Sequence, residues 1–265
     1  LAFSVGAVAA PIGFDTGEAS NATSLSVVTS GGNDPVSWSA GDWLGWGAAN
    51  AWPQGSPPGM PFALADDSVF PVSGSDFPSD AQGIIESADF GNSVFGVTDT
   101  VNPANPGGSA QAFWTFDISG ASDLSVRIDF AAMGDFEAGN DAFLFEYAID
   151  GAPYTTLFEI MIDEAAAQSY TMEGGLVVNL NDPASLNDVL LNDVFTGFSA
   201  DLMGTGSELA LRFFATTDGG SEAFAFDNIR IQGVPVPSTL ALLAMGLMGA
   251  GLRRRRLGLA RRPLA

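Results

Sequence analysis

Short stretches of alternating apolar and polar residues recur through the middle of the chain. Leu124, Val126, Ile128 and Phe130 share one parity, and Ser125, Arg127 and Asp129 share the other. This period of two is typical of a half-buried strand. It recurs at Trp114–Ile118, Phe143–Ile149, Phe158–Ile162 and Leu209–Phe213. With 32 Gly and 15 Pro between short apolar runs, residues 11–233 are predicted to form an all-β, two-sheet β-sandwich of the jelly-roll type.

The last predicted strand changes parity. Phe224 and Phe226 are even-numbered, whereas Ile229 and Ile231 are odd-numbered, so one regular strand cannot point all four into the same core. One extra residue near Asp227-Asn228 would restore their inward orientation, so we predict a β-bulge there. The alternative is a strand that is buried on both faces.

Apolar segments mark both ends of the chain. Residues 1–10 end in Ala7-Val8-Ala9-Ala10, the small-residue pattern of a signal-peptidase site, which predicts a truncated signal peptide. Near the other end, residues 239–252 carry no charge and precede Arg253–Arg256. Fourteen helical residues span about 21 Å, against a hydrocarbon core of roughly 30 Å. A C-terminal hydrophobic helix is predicted here, with its arginines on the cytoplasmic side of a membrane.

This terminal arrangement resembles the PEP-CTERM sorting signal of exopolysaccharide-producing Gram-negative bacteria. Its parts are a Pro-x-Pro motif, a short apolar helix and an arginine cluster. The Pro-x-Pro motif consists of Val234, Pro235, Val236, Pro237 and Ser238. The arginine cluster consists of Arg253, Arg254, Arg255 and Arg256. The resemblance implies recognition by an exosortase-type enzyme in the inner membrane, which residues 239–252 would cross transiently, and export to the cell surface or beyond. Val236 stands where the family usually has Glu, and this makes the motif more similar to the VPLPA-type variant. Residues 234–265 are therefore taken as the sorting signal.

Residues 112–231 resemble a jelly-roll module of secreted bacterial proteins, including some extracellular nucleases. The likeness lies in Trp114–Gly120, Phe143–Gly151, Gly204–Leu209 and Ala225–Ile231. It implies a β-sandwich accessory module that calcium could stabilise, and it transfers no catalytic residue.

Composition removes many function classes. The chain has no His and no Cys, which excludes Ser-His-Asp and Cys nucleophile chemistry and the usual zinc sites. With 31 Asp+Glu and a net charge of −22, nucleic acid is not an expected partner. The abundant acids instead suit Ca²⁺, which prefers hard oxygen ligands.

One candidate calcium site lies between two predicted strands. The loop 134–141 contains three carboxylates. The predicted bulge could turn a fourth carboxylate, that of Asp227, towards this loop, with Glu222 nearby. The proposed ligands are Asp135, Glu137, Asp141, Glu222 and Asp227. A solvated loop without a metal is the alternative.

Four of the five tryptophans fall within fifteen residues: Trp38, Trp43, Trp46 and Trp52. Exposed indole rings on a β-sandwich could stack on sugars, which makes these residues candidates for glycan binding. Alternatively, they fill one end of the core.

An enzyme remains the minor hypothesis. Glu146 and Glu159 lie on neighbouring predicted strands, on the side opposite the core residues, and such a pair could act as a glycoside hydrolase. Any two exposed acids could do the same, so we predict no catalytic residue. The sequence favours an exported matrix or cell-surface protein that is structural or associated with extracellular polysaccharide, with a carbohydrate-binding module of defined ligand as the alternative.

Overall fold

The computed structural model describes residues 10–17, 19–29, 43–48, 93–171, 177–219 and 222–236. Fifteen β-strands and no helix occur within these ranges. The strands are β1 Ala10–Asp15, β2 Ser24–Thr29, β3 Trp43–Ala48, β4 Ser93–Thr98, β5 Ala110–Asp117, β6 Ala121–Met133, β7 Ala142–Ile149, β8 Thr155–Ile162, β9 Ala167–Thr171, β10 Val177–Asn181, β11 Ala184–Leu186, β12 Val189–Leu190, β13 Thr196–Asp201, β14 Glu208–Thr216 and β15 Ala223–Pro235.

Two large antiparallel sheets form a β-sandwich, which confirms the predicted fold class. The first sheet has the order β13-β6-β15-β4-β3, and β1 pairs with β15 beyond the end of β4. The second sheet has the order β12-β11-β8-β7-β14-β5-β2. Each alternating segment of the sequence lies in a strand whose burial alternates, as in β5 and β14.

Aromatic rings fill the space between the sheets. Phe226 of the first sheet lies 4.9 Å from Phe145 and 5.0 Å from Phe213 of the second, measured between ring centroids. Phe224 stacks on Phe143 at 4.4 Å. These rings are fully buried, so the core joins the central strands of both sheets.

The predicted bulge is present in β15. Its pairing with β6 shifts register between Asp227 and Arg230, and Asn228 adopts a positive φ of 55°. Phe226 and Ile229 are consequently both buried, and Arg230 is exposed.

Some predicted features lie outside the described residues. These are the first nine residues of the signal peptide and the hydrophobic helix at 239–252. Within the described ranges, no helix has the length and apolar character needed to cross a membrane.

Candidate functional site

Two loops that cross between the sheets run side by side at one end of the sandwich. The loop 134–141 connects β6 to β7, and the loop 217–222 connects β14 to β15; residues 220 and 221 lie outside the described set. Their neighbouring ends are paired: Met133 with Ala223 in the first sheet, and Ala142 with Thr216 in the second. Strand pairing therefore brings together two segments that are far apart in sequence.

These loops assemble a group of four carboxylates, Glu137, Asp141, Asp218 and Glu222, which we call the acidic cluster. One oxygen from each residue lies within 4.8 Å of the others. Asp141 and Glu222 are buried, with 5% and 6% of their surface exposed, whereas Glu137 and Asp218 are exposed. The cluster thus has a buried half and a half open to solvent.

Hydrogen bonds position the two buried carboxylates. Asp141 accepts the backbone N–H of Glu137 through Oδ2 at 2.7 Å. Glu222 accepts, through Oε2, the Thr217 hydroxyl at 2.7 Å and the Gly219 N–H at 2.9 Å. The second oxygen of Asp141, Oδ1, is buried and has no hydrogen-bond partner.

Burial and mutual repulsion disfavour the charged forms of these acids. Burial raises the pKa of Glu222 to about 7, and the charges of Asp141 and Glu137 add to this shift. Burial also raises the pKa of Asp141, against the opposing effects of the Glu137 N–H, the Thr217 hydroxyl and the Asp218 N–H. The pKa of Glu137 is raised by desolvation and by Asp141, Asp218 and Asp135.

The predicted ligand set is only partly brought together. Glu137, Asp141 and Glu222 lie in the acidic cluster, but Asp135 and Asp227 do not. Asp135 is exposed beside the buried Phe136. Asp227 lies farther along the chain, five positions after Glu222, which is roughly 16 Å in an extended strand. It is paired with Asp129 and accepts hydrogen bonds from the N–H and Nδ2 of Asn228.

Sequence reasoning missed Asp218. A second acidic loop between strands, Thr217-Asp218-Gly219-Gly220-Ser221-Glu222, was the available signal. It becomes informative only when β7 is paired with β14, because that pairing places Asp218 beside Asp141.

A second surface with polar and aromatic groups is the side of the second sheet that points away from the core, here called the outer face. Rows of side chains cross its strands in register. One row pairs Gln111, Phe214, Leu144 and Glu159 across β5, β14, β7 and β8. The next contains Phe113, Arg212 and Glu146.

An ion pair occupies the middle of the outer face. Arg212 donates to Oε2 of Glu146 through Nε at 2.7 Å and also through Nη2. The guanidinium carbon lies 4.1 Å from the centroid of the Tyr154 ring. Because the Arg212 and Glu146 side chains are 30% and 14% exposed, solvent screens this pair only in part.

The outer face and the acidic cluster border a common cavity. The cavity has a volume of about 280 Å³, and its lining includes Gly139 and Asp141 from the loop and Leu144, Glu159 and Phe214 from the sheet. Asp141 therefore belongs to both features.

The tryptophans occupy different positions. Trp46 is half-buried, with its ring 5.7 Å from Phe95 and 6.1 Å from Phe226 in edge-on contacts. Its packing fits the core alternative for this residue. Trp43 begins β3, and Trp38 and Trp52 lie outside the described residues.

The sorting signal begins inside the fold. Val234 and Pro235 are the last residues of β15, paired with Ser122 and Ala121, and the Val236 N–H donates to the Gly120 carbonyl at 2.7 Å. Pro237, Ser238 and Arg253–Arg256 lie outside the described residues. Residues 233–256 match the PEP-CTERM protein-sorting motif, which confirms the resemblance. The motif implies that the protein is exported and processed by an exosortase.

Comparisons of the whole chain are less specific. No curated protein sequence matches it. Among solved structures, it is similar to the Stig cyclase Fisc from Fischerella sp. TAU, with 13% identity, coverage of 81% of this chain and 87% of that one, and a TM-score of 0.38. It is also similar to TmCBM61, solved with β-1,4-galactotriose, with 6% identity, coverage of 54% and 72%, and a TM-score of 0.30.

A third similar structure is the second family 16 carbohydrate-binding module, with 10% identity, coverage of 53% and 77%, and a TM-score of 0.27. At these scores the similarities support no functional conclusion.

Proposed function

We propose that this exported β-sandwich protein associates with extracellular polysaccharide through the outer face of its second sheet. The main support is the cross-strand arrangement of Arg212, Glu146 and Tyr154, with Phe214 and Glu159 in the adjoining row. Aromatic rings can stack on the apolar faces of sugars, and charged side chains can hydrogen-bond to sugar hydroxyls. The sorting motif provides the matching context, because it directs the chain out of the cell.

Each group has a defined part in this proposal. The Tyr154 and Phe214 rings offer apolar faces on which sugar rings stack. Arg212 and Glu146 hold each other in place and lose little additional conformational freedom when a hydroxyl binds. Glu159 is exposed beside the cavity and accepts hydrogen bonds from sugar hydroxyls.

The same geometry favours binding over cleavage. Glu146 and Glu159 lie on adjacent strands of the outer face, since Glu159 pairs with Leu144, two positions from Glu146. A glycoside hydrolase needs one carboxyl group to donate a proton to the leaving oxygen. Glu146 instead accepts two hydrogen bonds from Arg212 at Oε2, so this carboxylate is already engaged with a side chain of the protein.

Affinity electrophoresis of the full chain in gels containing soluble polysaccharide tests the proposal, with neutral β-linked glucans and galactans and an anionic alginate as probes. Tyr154→Ala and Glu159→Gln should each weaken the affinity for polysaccharide, measured as retardation, about fivefold to tenfold. A tenfold loss of affinity corresponds to about 1.4 kcal/mol of binding free energy. Met203→Ala and Asp201→Asn are matched controls at exposed positions outside the second sheet and should bind normally.

Two outcomes would contradict the proposal. If Trp38→Ala and Trp52→Ala abolished retardation while Tyr154→Ala and Glu159→Gln did not, the binding surface would be the tryptophan segment. Shortening of the polysaccharide by the wild-type chain, lost in Glu159→Gln, would establish the hydrolase alternative.

A further inference from the structure

We propose that the acidic cluster is a binding site for one Ca²⁺ ion, which joins the loop 134–141 to the loop 217–222. Ca²⁺ takes six to eight oxygen ligands at about 2.3–2.6 Å, so two ligands on opposite sides of the ion are separated by roughly 4.6–5.2 Å. The four oxygens of the cluster lie within 4.8 Å of one another, which fits a shared Ca²⁺.

The buried oxygen Oδ1 of Asp141 is the independent sign of a missing ligand. Asp141 is 5% exposed, and this oxygen has no hydrogen-bond partner, although unsatisfied buried oxygens are costly. The Thr217 hydroxyl and the Asp218 N–H lie near Asp141, but neither forms a hydrogen bond with this oxygen, and Thr217 donates its one hydroxyl proton to Glu222. A cation coordinated by Asp141 and Glu222 would satisfy the free oxygen.

Within the part of the chain that the structure describes, no arginine neutralises the cluster. The arginines in the described ranges contact other groups: Arg127 pairs with Asp129, Arg212 with Glu146, and Arg230 donates to Asn228. Four carboxylates therefore share one small volume without a basic partner among the described residues. A divalent cation from solution would remove this repulsion, and an all-oxygen ligand set favours Ca²⁺ over softer metals.

Titration calorimetry of the full chain, freed of metal with a chelator and desalted, tests the site with CaCl₂. Asp141→Asn and Glu222→Gln should each remove one bound Ca²⁺ or weaken its binding at least about tenfold, because ligand charge sets affinity. Asp135→Asn is the matched control, since Asp135 lies on the same loop outside the cluster. It should keep the wild-type stoichiometry.

Melting curves provide a second measurement. Ca²⁺ should raise the melting temperature more than NaCl or MgCl₂ at matched ionic strength, and Asp218→Asn should reduce the difference. Asp218 is exposed, so its replacement should leave the core intact. This variant therefore tests the site even if Asp141→Asn fails to fold. Equal shifts with all three salts, or equal losses in Asp135→Asn and Asp218→Asn, would overturn the proposal.

Discussion

Among single residues, Glu222 has a clear expected effect on stability. Its pKa is about 7 in the folded protein, above the usual value of 4.5, so between these values the folded state binds more protons than the unfolded state. Glu222 therefore stabilises the metal-free protein fully below pH 4.5, and this contribution is lost as the pH rises through 7. Asp141 and Glu137, whose pKa values are also raised, act in the same direction.

We expect the free energy of unfolding of the chelator-treated protein to fall by up to about 3 kcal/mol between pH 4.5 and 7.5 because of Glu222. Urea unfolding at several pH values measures this change. Glu222→Gln should flatten the profile, because Gln cannot ionise. Glu208→Gln, at an exposed position, should keep the wild-type slope; identical slopes in both variants would contradict the assignment to Glu222.

Two tryptophans allow the energy of one buried hydrogen bond to be isolated. Trp114 is fully buried, and its indole N–H donates to Oδ2 of Asp15 at 2.7 Å. The indole N–H of Trp46 is buried without a partner. Replacing either residue with Phe removes the same atoms, but only Trp114→Phe removes a hydrogen bond to a carboxylate.

Trp114→Phe should therefore lower the free energy of unfolding by about 1.5–3 kcal/mol more than Trp46→Phe, in addition to the larger loss of packing at the fully buried Trp114. Chemical denaturation of the two variants and the wild type gives the difference. Similar losses in both would mean that the contact with Asp15 contributes no net stability.

At the level of strands, the bulge of β15 depends on Asn228. Its positive φ of 55° is tolerated by Asn and Gly but strained for β-branched residues. Asn228→Val should destabilise the protein by about 1–3 kcal/mol more than Asn228→Gly. Both variants lose the side-chain bonds to Asp227 and Arg230, so the glycine variant controls for them. Equal melting temperatures would exclude backbone strain as the cause.

Local patterns predicted the strands because burial alternates with the same period of two as the sequence. The parity change predicted the bulge for the same reason. Contacts between distant strands were not predictable in this way. The partners Asp15 and Trp114 are 99 positions apart, and Glu146 and Arg212 are 66 apart. Asp218 was missed because its proximity to Asp141 depends on pairing of β7 with β14.

Across the whole molecule, the proposed calcium and polysaccharide sites share one wall, since Asp141 lines the cavity and belongs to the acidic cluster. If both proposals hold, removal of Ca²⁺ should weaken polysaccharide binding, because the loop 134–141 loses its link to the loop 217–222. Affinity electrophoresis with Ca²⁺ or with chelator measures the effect. In Asp135→Asn the response to Ca²⁺ should persist, and in Asp141→Asn it should disappear. If the affinity for polysaccharide were the same with Ca²⁺ and with chelator, the two sites would act independently and the predicted coupling would be wrong.

The position of the sorting motif makes a prediction about processing. Val234 and Pro235 complete β15, whereas the matched motif continues to residue 256. Cleavage near Val234–Ser238 would keep all or nearly all of β15 and remove the arginine cluster. Protein recovered outside the inner membrane should therefore lack Arg253–Arg256. Measurement of its intact mass checks this.

Replacing Arg253–Arg256 with Gln should leave the chain unprocessed and retained in the membrane fraction, because the positive charges fix the orientation in which the sorting enzyme meets the motif. Arg261→Gln with Arg262→Gln is the matched control, since these arginines lie beyond the matched residues 233–256. Its processing should match the wild type. An extracellular form that still carried Arg253–Arg256 would contradict sorting by this signal.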